Sequence, residues 1–130
     1  MDYSAAFALL DAYVNAIHSS KPEALNELFT ADGTVNSPVC GIKPAKQFYY
    51  DWLKEIDSVR ITVLNKFINP DNPHSIALHI TLHLVKNNNA VDFPAVDVFE
   101  LNGTLDKIKT LTILFDKSIL APRSKEQKLT

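Results

Sequence analysis

Apolar residues recur at helical spacing in the first half of the chain and at every second position afterwards, which predicts helices followed by strands. Ala6, Leu9, Leu10, Tyr13, Val14 and Ile17 form a stripe on a helix from about Ser4 to Ser19, with Ser4 as its cap. A short second helix starts at Ser20-Lys21-Pro22-Glu23. There Ser20 caps, Glu23 closes a capping box, Pro22 suits the first turn, and Leu25, Leu28 and Phe29 are the buried side. Ala31-Asp32-Gly33 reads as a turn, and Thr34 to Ser37 as a short strand stopped by Pro38. Pro44 opens a third helix, Ala45 to Ile56, with Phe48, Tyr49, Trp52 and Leu53 on its apolar face.

The period then changes to two. Val59 to Ile68 alternates, as does Ser75 to Lys86, where Ile76, Leu78, Ile80, Leu82 and Leu84 oppose Ala77, His79, Thr81, His83 and Val85. Lys86 to Asn89 is a hairpin connection into Val91–Leu101, and Asn102-Gly103-Thr104 turns into a last strand from Ile108 to Phe115. Helices first and antiparallel strands after make an α+β domain, a curved, mostly antiparallel sheet wrapped around the N-terminal helices. A bent sheet closed by helices leaves a cone-shaped cavity, so inward polar groups gain interest.

Asp97 is such a group. It is the single charge on the face Val91, Phe93, Ala95, Asp97, Phe99 and Leu101. An ionised carboxylate there would cost several kcal/mol, so it is either protonated or strongly partnered. A carboxyl held neutral in an apolar wall can donate a hydrogen bond to a ligand. The alternative is a slipped register or bulge that lets Asp97 reach water or a backbone amide. Tyr13 also lies within an apolar stripe, so its hydroxyl points inward and needs a partner.

Composition narrows the function classes. One domain fills residues 1–122, and residues 123–130 are a polar, charged tail. A net charge of −2 gives no electrostatic reason to expect nucleic acid, and no apolar run approaches a bilayer span, so neither nucleic acid nor membrane is an expected partner. The start, Met1-Asp2-Tyr3-Ser4, lacks signal-peptide character, and the single Cys40 fits a reducing, cytoplasmic setting. With no ligand cluster and no phosphate loop, neither a metal nor an organic cofactor is expected. His79 and His83 share a strand face roughly 13 Å apart, too far to chelate one metal together, and belong on the outer face of the sheet.

The run Leu28-Phe29-Thr30-Ala31-Asp32-Gly33-Thr34-Val35-Asn36-Ser37-Pro38, the Phe48-Tyr49 pair and Val96-Asp97-Val98-Phe99 resemble ketosteroid isomerase. More broadly, the chain is similar to the nuclear transport factor 2-like superfamily, with its SnoaL-type polyketide cyclases. The resemblance implies roles residue by residue. Tyr13 falls on the isomerase's oxyanion-hole tyrosine, Asp97 on the neutral aspartic acid sharing that hole, and Tyr49 on a second tyrosine behind the first. Ser37 stands where the isomerase has its general-base aspartate, immediately before a proline. Loss of a positioned base typically forfeits on the order of 10²- to 10⁴-fold in rate, whereas the oxyanion-stabilising half of the site is intact.

The resemblance therefore implies a small apolar, oxygen-bearing ligand, catalytic-type roles for Tyr13, Asp97, Tyr49 and Ser37, and a homodimer through the outer sheet face. Trp52, Ile80, Leu82, Leu84, Phe99, Leu111, Ile113 and Phe115 are expected to line the cavity, although each singly reads as simple core. Two functions remain open: an isomerase- or cyclase-like enzyme, and a non-catalytic ligand-binding or dimerisation module of the same fold. Asp97 acting itself as the acid/base is a variant of the first. Every version requires the Asp97 carboxyl inside the hollow and within a hydrogen bond of a phenol.

Overall fold

The computed structural model describes residues 3–120, so the expected domain limit at 122 and the tail beyond it lie outside the described residues. Helix α1 spans Ser4–Ser19 and buries Ala6, Leu9, Leu10, Tyr13, Ala16 and Ile17, the stripe its spacing dictates. Its N-cap is Tyr3 rather than Ser4. Ser20 does not cap the second helix. It takes a left-handed conformation (φ 57°) and donates its N–H to the Ile17 carbonyl, so it ends α1 instead. Helix α2 (Pro22–Asn26) starts from Lys21 with no side-chain cap, and Leu25 is its buried anchor.

Strand β1 (Phe29–Ser37) runs straight through the expected Ala31–Gly33 turn. Its pairing register shifts between Phe29 and Thr34, which marks a bulge, and the bend occurs there. Gly33 is needed at that bend: a Cβ would sit 3.0 Å from the Phe29 Cβ and the Thr30 carbonyl oxygen. A short edge strand β2 (Gly41–Pro44), not anticipated from the sequence, folds back antiparallel on β1 through Gly41 at φ 70°. Helix α3 spans Ala45–Glu55 and buries Ala45, Phe48 and Tyr49.

The remaining strands are β3 (Ser58–Ile68), β4 (Ser75–Lys86), β5 (Asn89–Leu101) and β6 (Ile108–Leu114), followed by a short 3-10 turn at Lys117–Leu120. They form one six-stranded sheet in the order β2-β1-β6-β5-β4-β3, antiparallel except where β1 runs parallel to β6. The β4–β5 hairpin closes through Asn87 and Asn88, both at positive φ (52° and 66°), the conformation a two-residue turn between twisted strands requires. Further register shifts in β3 and between β5 and β6 curve the sheet. The three helices cover its concave face, and that α+β arrangement leaves a hollow beneath them.

Helix α1 is tied to the edge of this sheet by a bond the sequence did not signal. His18 Nε2 accepts the Ile61 N–H at 3.0 Å. Lys66 adds an exposed ion pair to Asp11 at 3.0 Å. No helix among the described residues is long and apolar enough to cross a membrane.

Candidate functional site

The hollow has a volume of about 500 Å³, within the range of small-ligand sites. Strand parity builds one wall: Phe93, Ala95 and Asp97 of β5 face inward with Ile80, Leu82 and Leu84 of β4 and Ile113 of β6. Helix α3 builds the other with Phe48, Tyr49 and Trp52, the first and last of which stack at 27° with centroids 6.1 Å apart. Facing them, Phe93 and Phe115 stand 5.1 Å apart. Ala95 is the small residue that keeps the wall open between Phe93 and Asp97.

Tyr13 closes the inner end. Its ring meets Phe99 edge-on at 5.1 Å, and its hydroxyl lies 2.8 Å from that of Tyr49. One phenol donates to the other, so the pair retains one O–H proton for a further partner. Burial raises the Tyr13 pKa well above its ordinary range, with Tyr49 and the charge of Asp97 adding to it. Tyr49 is raised by burial, partly relieved by the bond from Tyr13. Both phenols stay protonated at any physiological pH, as donors must.

Asp97 is 3% exposed, yet its carboxyl is not sealed in, because its oxygens open into the hollow. Burial alone pushes its pKa up to about 7. It makes no hydrogen bond to Tyr13 or Tyr49, nor to any other described residue. The expected direct bond between acid and phenol is therefore absent. The reason is positional: Tyr13 turns its hydroxyl to Tyr49 on α3, leaving the acid facing open space.

Ser37 also borders the hollow, but its Oγ accepts the Cys40 N–H at 3.0 Å. It holds the turn into β2, where the sequence offered no structural role for it. Phe99 and Leu111 do not line the hollow. They pair with each other next along the ladder from Asp97 and Ile113, both fully buried, with the Tyr13 ring over Phe99. Conversely, Phe48, Val91, Phe93, Ala95 and Ile61 line it and were read from the sequence only as apolar faces. Their parity was visible, but which rung the helices leave uncovered was not. His79 and His83 lie on the outer face, bonded to Asn65 and to Thr62 and Asp92.

No family model matches the chain, and no curated protein matches it in sequence. Solved structures do share its fold. A hypothetical protein with a ketosteroid isomerase-like fold from Catenulispora acidiphila, in complex with trimethylamine, aligns over 83% of this chain and 85% of its own (TM-score 0.72, 16% identity). The epoxide hydrolase/cyclase-like enzyme SalBIII, of pyran ring formation in salinomycin, covers 87% and 92% (0.75, 17%). A computationally designed 17-OHP binder covers 89% and 95% (0.75, 18%). The chain thus shares the ketosteroid isomerase-like fold of these structures.

Proposed function

We propose that the chain binds a small apolar, oxygen-bearing molecule, with its carbonyl or phenolic oxygen accepting from Asp97 and Tyr13. The observation that carries this reading is the Asp97 carboxyl, buried without a partner and facing a hollow beside a phenol pair that has a donor to spare. The acid–phenol bond that the sequence reading required is absent, which narrows the proposal to a ligand oxygen that would bridge the two groups across the hollow. Binding there stabilises negative charge on that oxygen, which is the polarising half of an isomerase or cyclase site. The fold is shared with small-molecule pocket proteins of several activities, so it supports a pocket and not a reaction.

Titration with 2-naphthol tests the pocket. We expect saturable binding that weakens at least about tenfold in Asp97→Leu and Tyr13→Phe, each loss matching one buried hydrogen bond. Naphthol affinity unchanged in both folded variants would refute the site.

A non-catalytic version is favoured by Ser37, whose oxygen is already an acceptor in the turn and which cannot serve as a base. Ser37→Asp preserves an acceptor for the Cys40 N–H and restores a carboxylate. It is expected to create isomerisation of a β,γ-unsaturated ketone where the parent chain has little. A folded Ser37→Asp with no gain would count against the borrowed geometry. The same resemblance assigns a homodimer to the outer sheet face, where Phe67 and Leu114 are 51% and 52% exposed. Light scattering on Phe67→Asp tests it: a dimer turned monomer supports the assignment, and a monomeric parent refutes it.

A further inference from the structure

The hollow differs in character at its two ends. The inner end holds the acid and the phenols. At the mouth, where the lining residues become exposed, stand Lys43, Lys86 and Lys117 with Asp51 and Glu55. Lys43 is engaged with Asp51 at 3.7 Å. Lys86 and Lys117 form no ion pair among the described residues, so the mouth keeps two free cations against the one carboxylate of Glu55. This positive rim sits on a chain of net charge −2. It therefore does not follow from overall composition.

Resting on the pocket reading above, we infer that the ligand carries a carboxylate at the end opposite its carbonyl or phenol, held at the mouth by Lys86 and Lys117. Strand geometry sets the length. Asp97 and Val91 both line the hollow, six residues apart on β5, which spans at most about 20 Å along the strand and less where the sheet bends. Lys86 lies one turn of the hairpin further, paired with Asn89, and Lys117 follows the end of β6. Both lysine stems are long enough to reach back over the opening. The ligand is thus elongated, apolar through its middle between the aromatic walls, oxygenated at one tip and anionic at the other. A lysine is a point charge without Arg's planar fork, so it would hold a carboxylate by charge alone, which makes the pairing salt-sensitive.

The test uses 4-hydroxyphenyl alkanoic acids of increasing chain length against their methyl esters, which keep length and apolarity and lose the charge. At low salt the acid is expected to bind about fivefold tighter than its ester at the length that spans the hollow, with little preference at shorter lengths. The preference is expected to vanish in the double variant Lys86→Gln/Lys117→Gln and at high salt, and to grow in Glu55→Gln. These are exposed positions, so folding is not at stake. Esters that bind as well as acids at every length overturn the inference and leave the pocket reading standing. A preference that survives in the double variant also overturns it. If neither series binds, the pocket reading fails, and this inference with it.

Discussion

Asp92 and Asp97 lie on the same strand, five positions apart, and their surroundings have almost nothing in common. Asp92, on the outer face, is 67% exposed and bonds His83 Nδ1 at 2.8 Å, while His83 Nε2 meets Thr62 at 2.8 Å. Asp97, on the inner face, is 3% exposed and has no bonded neighbour. An odd difference in position puts them on opposite sides of the sheet, and that alone decides which carboxyl is an ordinary surface anion and which is a candidate donor. On the outer face several polar groups are answered across the strand: His79 by Asn65, Ser75 by Glu100. The inner face leaves one group unanswered, which is what a binding site waiting for a ligand looks like.

The contrast should show most strongly in pH dependence. The Asp97 pKa rises from 3.8 unfolded to about 7 folded, so the native state binds the proton that the unfolded chain releases. Stability is then greatest below about pH 4, falls as pH rises towards 7 by up to about 4 kcal/mol, and levels off above. Urea unfolding across that window should show this fall in the parent and none of it in Asp97→Asn. Equal slopes in the two proteins would mean the acid is hydrated like its surface counterpart.

The phenol pair sharpens the same point at smaller scale. Tyr13→Phe leaves the Tyr49 hydroxyl buried without a partner, at a cost of about 1–3 kcal/mol. Tyr49→Phe leaves Tyr13, whose hydroxyl can turn into the hollow, and should cost about 1 kcal/mol or less. Both side chains border the hollow, so thermal denaturation of the two variants distinguishes which hydroxyl can turn into it when its partner is removed. If the order reverses, Tyr49 is the cavity-side donor.

Smallest of all is the outer face. Asp92→Ala removes an exposed hydrogen bond to His83, worth at most about 1 kcal/mol, and should leave 2-naphthol affinity unchanged. A loss of naphthol affinity there would show that the two sides of the sheet are energetically linked.

The alternating strands and both longer helices were legible because one buried side fixes their period, and Asp97 stood out against that period. What escaped the sequence were features decided by neighbours distant along the chain. Gly41–Pro44, bracketed by turn residues, forms a strand only because β1 offers an edge to pair with. Ser20 matches a cap pattern for the second helix, yet the left-handed exit from α1 claims it first. Phe99 and Ile113 have the same pattern value; the Tyr13 ring covers one and leaves the other open. The phenol bond was inferable as a need of Tyr13, but its partner came through family likeness.

The parallel ladder between β1 and β6 implies an order of assembly. It joins Phe29 to Ile108, seventy-nine positions apart (108 − 29), whereas β3, β4 and β5 are neighbours in sequence and meet through short turns. Closing so long a loop is entropically slow, so the meander should form first and the N-terminal strand dock last. Pulsed hydrogen exchange should then protect Ile80 and Ala95 amides before that of Val35. A nascent chain accordingly acquires its Asp97 wall early, and its ligand chamber only with the final strand.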